Sequence, residues 1–273
     1  MTQATKAARF VALHESPDLF VLPNPWDPGS AKILASLGYK ALATTSAGYA
    51  FSQGKIDAVG SISREEAMVH ARVIVDATPL PVSADLENGY GDSPEAVQET
   101  IKAAYEAGLV GCTIEDTSGD PNKPIYDSQQ AIERIIAAVE TVRALPTPFV
   151  LTARAENYLH GRPDLDDTLL RLHGYEAAGA DVMYAPGLPD LATIKTVCDT
   201  INKPINVVAG IRPKGASIDD YKACGVKRVS LGSSLARLAF GAAINASRNL
   251  IETDSFAAFD DAASFADIES LLQ

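Results

Sequence analysis

The feature that most constrains this chain is an eightfold alternation of short apolar runs and longer amphipathic stretches. The apolar runs have the length of strands and lie at residues 19–24, 41–46, 80–85, 111–116, 148–156, 180–186, 204–210 and 228–233. The stretches between them have helical periodicity, and several end in glycine, as at Gly108 and Gly179. Eight strand-then-helix units favour an α/β fold of the closed (β/α)8 TIM barrel type over a doubly wound sheet, which usually has fewer strands.

The two ends of the chain lie outside this repeat. The amphipathic N-terminal stretch predicts a helix before the first strand, and residues 251–273 predict a C-terminal helical extension. No linker rich in proline or serine divides the chain. We therefore expect one barrel domain over residues 1–273.

Composition and charge exclude several classes of partner. Of 273 residues, 47% are hydrophobic and 21% are charged, which is typical of a globular protein with a core. The net charge of −12 opposes binding to nucleic-acid phosphates and to anionic lipid. No apolar run reaches the roughly 18 residues of a membrane span, and none is long enough for a signal peptide. Three scattered cysteines indicate reduced thiols. We expect a soluble, cytoplasmic protein that binds neither nucleic acid nor membrane.

Charged side chains end three neighbouring strands of the predicted barrel. Asp85 and Glu87 follow the third apolar run, Glu115 ends the fourth and Arg154 lies in the fifth. Because side chains alternate along a strand, we expect Asp85 and Glu87 on one face. Active sites of these barrels lie at the carboxyl ends of the strands. The pattern therefore predicts that several acids and one guanidinium converge at the barrel mouth.

Converging carboxylates repel one another unless a cation lies between them. Oxygen ligands without His or Cys favour a hard cation, Mg²⁺ or Mn²⁺. We therefore assign Asp85, Glu87 and Glu115 to a metal site and Arg154 to a bidentate contact with a substrate carboxylate. The alternative is that these acids cap helices or form salt bridges within the barrel.

The connection after the second apolar run carries three small residues, Ser46, Ala47 and Gly48. Their size lets backbone N–H groups approach a substrate oxyanion closely, although a tight turn between strand and helix has the same signature. Further along, Asp57 lies in a glycine-containing connection that could cover the site.

The longest polar insertion covers residues 116–128, after the fourth apolar run. Its Gly, Pro, Asn and Asp content indicates a lid loop, with Asn122 and Lys123 as candidate catalytic residues, or else a plain surface loop. His160, on the loop after the fifth run, could approach the mouth, whereas the other three histidines fall in helical stretches. There is no GxSxG, P-loop or dinucleotide-binding motif.

Together these segments resemble the isocitrate lyase/phosphoenolpyruvate mutase superfamily over nearly the whole chain. "SADLENGYGD" is similar to the family segment D-x-D-x-G-[YF]-G, with Asp85 at the metal-associated position and Glu87 replacing the second Asp. "TTSAGYA" is similar to the turn that holds a substrate carboxylate and oxyanion, and "GKID" to the loop that bears Asp57. "IED" is similar to the metal-shell segment at Glu115, and "TAR" to the substrate-binding segment at Arg154.

The resemblance implies an α/β barrel that binds Mg²⁺ and a small anionic 2-oxo acid or enolpyruvate derivative. The implied reaction makes or breaks a C–C or C–P bond next to a stabilised enolate. The family also exchanges its C-terminal helix between neighbouring subunits and commonly forms tetramers, as dimers of dimers. The segment after residue 250 is suited to such a homo-oligomer.

The chain departs from the family's lyases in the loop at 116–128. Their acid/base cysteine is missing, because the loop reads "DTSGDPNKPIYDS". Cleavage of isocitrate or methylisocitrate is therefore not expected. We favour a Mg²⁺-dependent lyase or decarboxylase that acts on a small 2-oxo acid through an enolate. The alternatives are a phosphonomutase or phosphonopyruvate hydrolase, with Asp57, Asn122 or Lys123 near the phosphonate, and a catalytically weak protein that binds 2-oxo acids.

Overall fold

Eight parallel strands form one sheet in the computed structural model, which describes residues 1–273. The strands are β1 (Phe20–Leu22), β2 (Leu42–Ala43), β3 (Val82–Asp85), β4 (Gly111–Glu115), β5 (Val150–Arg154), β6 (Val182–Tyr184), β7 (Ile205–Val208) and β8 (Arg228–Ser230). They are paired in the order β1-β8-β7-β6-β5-β4-β3-β2. The N–H of Ala43 donates to the carbonyl of Pro23 at 3.0 Å and links β2 to the chain just after β1. The predicted (β/α)8 barrel is confirmed, and every strand lies within its predicted apolar run.

Eleven α-helices accompany the strands. They are α1 (Gln3–Glu15), α2 (Pro28–Ser36), α3 (Ser46–Ser52), α4 (Arg64–Ala77), α5 (Pro94–Glu106), α6 (Ser128–Arg143), α7 (Leu165–Ala178), α8 (Leu191–Thr200), α9 (Ile218–Ala223), α10 (Ser234–Thr253) and α11 (Phe265–Leu272). Side chains cap many of them, as when Ser63 accepts from the N–H of Glu66 and Asp190 from that of Thr193. All are at predicted positions except α3, which the sequence pattern indicates as a turn.

Helix α1 closes the amino-terminal end of the barrel, as the predicted N-terminal helix. Its Phe10 is fully buried in a cluster with Leu22, Val110 and Val150, which face the barrel interior. Gly111 makes this contact possible, because a Cβ there would lie 2.9 Å from the Phe10 ring. The floor of the barrel is therefore apolar and filled by side chains, as expected of a packed core.

A buried arginine lies above this floor. The Arg228 guanidinium donates to Asn206 Oδ1 at 2.8 Å and to Thr152 Oγ1 at 2.8 Å, and its Nη1 lies 3.1 Å from His14 Nε2. No carboxylate pairs with it. Neutral oxygen and nitrogen acceptors thus satisfy this cation, which links β5, β7 and β8 to α1.

The C-terminal segment is helical, as predicted, but little of it is buried. Ala236 is the only buried residue of α10. A short 3₁₀ turn (Ala257–Phe259) follows, and α11 then returns to α2, where Ser36 Oγ donates to the Leu271 carbonyl at 3.1 Å. None of the helices combines the length and apolar character required to cross a membrane.

Candidate active site

The charged residues at the ends of β3, β4 and β5 converge on one guanidinium. Arg154 Nη1 lies 2.9 Å from Asp85 Oδ1 and 3.1 Å from Glu115 Oε2, and its Nε lies 2.9 Å from Glu156 Oε1. The guanidinium carbon stands 5.0 Å from the centre of the Tyr184 ring of β6. The third nitrogen of the guanidinium, Nη2, has no hydrogen-bond partner in the protein. Three carboxylates therefore fix the orientation of Arg154 and leave one end of it available.

Asp85 is held from two further sides. Its Oδ2 accepts hydrogen bonds from the hydroxyl of Ser46 at 2.9 Å and from the Ser46 N–H at 3.3 Å. Its Oδ1 also accepts from the Thr113 hydroxyl at 3.2 Å. These contacts connect the ends of β2, β3, β4 and β5, so the carboxylate has a defined position at the mouth.

Glu87 lies beyond strand β3, so the strand alternation from which Asp85 and Glu87 were predicted to share a face does not extend to it. Strand β3 ends at Asp85, and Glu87 takes a left-handed backbone conformation with φ of 50°. Non-glycine residues adopt this conformation at a cost of about 1–3 kcal/mol, often at functional sites. The buried Glu87 side chain still lines the cavity described below. Burial, together with the charges of Asp85 and Glu115, raises the pKa of Glu87 to about 8.

The segment predicted to present amides to an oxyanion forms the first turn of α3. The Gly48 N–H donates to the Thr45 hydroxyl at 3.2 Å and so caps the helix. A Cβ at Gly48 would lie 2.6 Å from Thr45 Cγ2, so this glycine also has a packing role. Ser46 lines the cavity, and Ala47 does not. Close packing against Thr45 therefore accounts for the glycine in this turn.

A cavity of about 420 Å³ opens above Arg154. Two loops border it, and they meet where a Cβ on Gly119 would lie 3.0 Å from Val59 Cγ1. Asp57 lines the cavity at its exposed rim. Partial burial and the nearby Asp85 raise the pKa of Asp57. The loop that bears Asp57 and the insertion at 116–128, both predicted to cover the site, thus border the same cavity.

The insertion at 116–128 is a hairpin, because Thr117 and Ile125 form an antiparallel bridge. Its tip residues Gly119 and Asp120 line the cavity. Asn122 and Lys123 do not. They are exposed, and Lys123 Nζ pairs with Asp127 Oδ2 at 2.6 Å on the protein surface. The structure therefore does not bring these two candidate residues to the site.

Thr117 and Glu156, which were assigned neither a catalytic nor a metal role, line the cavity, and so does His160, which was expected to approach the mouth. His160 Nε2 lies 3.1 Å from Thr117 Oγ1. Burial raises the pKa of Glu156, although Arg154 opposes this effect. Glu156 lies two residues after Arg154, and side chains two residues apart along a strand share a face, so this spacing is the sequence signal for Glu156. The contact between His160 and Thr117 joins two loops, and no local pattern predicts it.

The donor set fits a hydrated hard cation. Five carboxylates line the cavity with a single guanidinium, and burial together with neighbouring carboxylate charges raises the pKa of Glu87. No three His, Cys, Asp or Glu side chains lie close enough to ligate one ion by themselves. Mg²⁺ keeps several waters and is usually held by one or two protein carboxylates. Glu87 and Glu115 line the cavity, whereas Asp85 contacts Arg154 without being part of the lining.

Known proteins resemble this chain over most of its length. The family profile of phosphoenolpyruvate phosphomutase matches residues 10–251. The chain belongs to this family. The relatives of this isocitrate lyase/phosphoenolpyruvate mutase superfamily include lyases, decarboxylases and mutases, so the chain is an enzyme of that superfamily. Oxaloacetate decarboxylase of Marinomonas sp. MWYL1 is 28% identical over 242 residues, which is 87% of this chain and 81% of the relative. 2-Methylisocitrate lyase of Escherichia coli K12 is 29% identical over 186 residues, 66% of this chain and 61% of the relative.

Solved structures extend the family likeness to three dimensions. A protein described as a lyase/mutase from Burkholderia cenocepacia J2315 is 51% identical, with a TM-score of 0.95 over 98% of this chain and 95% of that chain. A phosphonopyruvate hydrolase solved with oxalate and Mg²⁺ is 22% identical, with a TM-score of 0.84 over 99% of this chain and 95% of that chain. The second likeness is one of fold alone.

Proposed function

We propose that this protein is a Mg²⁺-dependent lyase or decarboxylase that acts on a small 2-oxo acid through an enolate. The observation that carries the proposal is the arrangement around Arg154, whose Nη1 and Nε are held by three carboxylates while Nη2 stays free. A free guanidinium nitrogen at a barrel mouth is suited to a substrate carboxylate. The excess of carboxylates around it is suited to a divalent cation, for which Mn²⁺ is the alternative.

Each residue then has a part in binding or in charge stabilisation. Arg154 binds and orients the substrate carboxylate, and its charge stabilises the enolate oxygen that develops when the bond to C3 breaks. Ser46 holds Asp85 in position through its hydroxyl and N–H. Asp85, Glu87 and Glu115 would hold Mg²⁺, and bound Mg²⁺ would supply Lewis-acid polarisation of the 2-oxo group. One well-placed donor of this kind contributes roughly 3–4 kcal/mol to transition-state stabilisation.

The phosphonate reactions are less well supported by the cavity. A phosphonate carries negative charge that needs a cation at the end away from the substrate carboxylate. Lys123, the candidate for that contact, is paired with Asp127 outside the cavity. Arg154 is the only arginine or lysine that lines the cavity. This observation favours C–C over C–P bond cleavage.

The proposal is tested by pyruvate release from oxaloacetate, followed above the spontaneous rate with and without Mg²⁺. We expect turnover that EDTA removes and that Mg²⁺ or Mn²⁺ restores. Parallel incubations with phosphonopyruvate, followed by ³¹P NMR, test the C–P alternative. Thermal stabilisation by 2-oxo acids without any metal-dependent product would favour a binding protein and contradict the proposal.

A further inference from the structure

The charges of the cavity restrict the part of the substrate that leaves. Five carboxylates line the cavity, those of Asp57, Glu87, Glu115, Asp120 and Glu156. Arg154 is the one fixed cation among them, and its Nη1 and Nε already contact three carboxylates. The rest of the lining is apolar or weakly polar and includes Val59, Pro121 and Leu159. A leaving fragment that keeps an anionic group would therefore face acids without a basic partner, whereas the second carboxylate of oxaloacetate leaves as uncharged CO₂.

His160 is the one histidine that lines this cavity. Its backbone position is fixed, because the His160 N–H donates to the Glu156 carbonyl at 3.2 Å. His160 Nε2 lies 3.1 Å from Thr117 Oγ1, and an imidazole with its proton on Nε2 donates it to that oxygen. The ring nitrogen Nδ1 then carries a lone pair. It makes no hydrogen bond to the protein and is not sealed from solvent.

The cysteines and Tyr184 are not suited to the same task. Cys112 faces the buried layer between strands and helices, and the other two cysteines lie in or next to the outer helices α8 and α9. Burial raises the pKa of Tyr184 well above its ordinary value, so it stays protonated. Burial and the charge of Arg154 lower the pKa of His160 against the opposing charge of Asp116, so its imidazole is neutral at pH 7. A neutral imidazole with a free Nδ1 can accept a proton.

We propose that the substrate is a 4-hydroxy-2-oxo acid with an uncharged substituent on C4, and that His160 Nδ1 removes the proton of the C4 hydroxyl. This inference rests on the proposed function, because it uses the same enolate. The C3–C4 bond breaks as the hydroxyl oxygen forms a carbonyl, and the electron pair becomes the enolate of the 2-oxo acid. An uncharged aldehyde leaves. His160 returns its proton to C3, so no oxidant, reductant or further reactant is consumed.

Two substrates that differ only in charge test the leaving group. 4-Hydroxy-2-oxopentanoate carries a methyl group on C4 and 4-hydroxy-2-oxoglutarate carries a carboxylate, while both release pyruvate on cleavage. With Mg²⁺ present, we expect kcat/KM for the first to exceed that for the second by at least about tenfold. Equal rates, or a preference for the second substrate, would overturn the inference.

Oxaloacetate serves as the control for the enolate chemistry itself, because loss of CO₂ needs no general base. Pyruvate from oxaloacetate but none from 4-hydroxy-2-oxopentanoate would overturn this inference and leave the proposed function intact. Absence of metal-dependent pyruvate from all three compounds would overturn both.

His160→Gln tests the role of the imidazole, with His173→Gln, an exposed histidine of α7, as the matched control. General-base catalysis contributes about 10²–10⁴-fold, so we expect a fall of that size in kcat for 4-hydroxy-2-oxopentanoate. Oxaloacetate decarboxylation by the same variant should fall by less than this, because loss of CO₂ does not use the base. An equal loss for both substrates would indicate a structural role for His160 and overturn the assignment. The control variant should match the wild type with both substrates.

Discussion

Asp85 is the residue on which the site depends most. It contacts Arg154, Ser46 and Thr113 together, and we propose that it also holds the cation. Asp85→Asn keeps the shape of the side chain and removes its charge. We expect pyruvate release from oxaloacetate to fall by at least about 100-fold, with an unchanged circular dichroism spectrum. The matched control is Asp199→Asn, which removes an exposed charge on α8. Undiminished, Mg²⁺-dependent turnover by the Asp85 variant would contradict the assignment.

His14 makes stability depend on pH. Burial and the neighbouring Arg228 lower the pKa of His14 to about 3, against about 6.5 in an unfolded chain. The unfolded chain therefore takes up the proton first as the pH falls below about 6.5, and folding stability declines from there towards pH 3. Between pH 7 and pH 5 this loss is about 2 kcal/mol. The free energy of unfolding, measured by urea denaturation, should therefore fall by about 2 kcal/mol less between pH 7 and pH 5 in His14→Gln than in the wild type. An equal pH dependence in the two proteins would contradict this role.

The site residues differ in how far sequence could predict them. Asp85, Glu115 and Arg154 follow adjacent strands of a barrel, so their meeting follows from topology alone. The strained backbone of Glu87 could not be predicted, because a non-glycine side chain carries no signal for a positive φ. The position of Lys123 depends on how a long loop folds, and its pairing with Asp127 turned it away from the cavity.

At the scale of elements, α1 closes the barrel floor largely through one side chain. Phe10 is fully buried, and the absent side chain of Gly111 gives it room. Phe10→Ala should lower the free energy of unfolding by about 3–5 kcal/mol, measured by urea denaturation. The neighbouring Arg9→Ala removes an exposed side chain and should change it by less than about 0.5 kcal/mol. A loss below about 1 kcal/mol in the Phe10 variant would show that α1 does not contribute to the core.

The alternation of strands and helices was predictable because apolar periodicity switches at nearly every boundary. Helix α3 was not predicted, because a seven-residue helix that contains Gly48 has almost no periodicity. Its first turn is stabilised by the Thr45 cap and by close packing against Trp26. The packing against Trp26 depends on the tertiary structure, so the sequence pattern did not distinguish a helix from a turn here.

At the scale of the whole molecule, the C-terminal segment carries more exposed apolar side chains than a monomer usually shows. Leu238 and Ile244 of α10 are 69% and 48% exposed, and Phe256 and Phe265 beyond it are 72% and 88% exposed. We propose that these side chains are buried between copies of the chain, in a dimer of dimers. The proposal agrees with the helix exchange that the family resemblance implies.

Light scattering after size-exclusion chromatography tests this assembly. We expect a particle of four times the 28.8 kDa chain mass. Leu238→Glu should shift it to smaller species, because a charge buried without a partner destabilises an interface. Arg248→Glu on the same helix is the control and should leave the mass unchanged. A wild-type mass of one chain would contradict the proposal.

We propose that the group of carboxylates and Arg154 at the barrel mouth binds a divalent cation and a 2-oxo acid carboxylate together. A crystal soaked with Mn²⁺ and oxalate, an analogue of the pyruvate enolate, tests it most directly through the anomalous signal of manganese. We predict one manganese ion in contact with Asp85 and with oxalate, and an oxalate oxygen within hydrogen-bond distance of Arg154 Nη2. Oxalate bound without manganese, or manganese bound away from Asp85, would contradict the account.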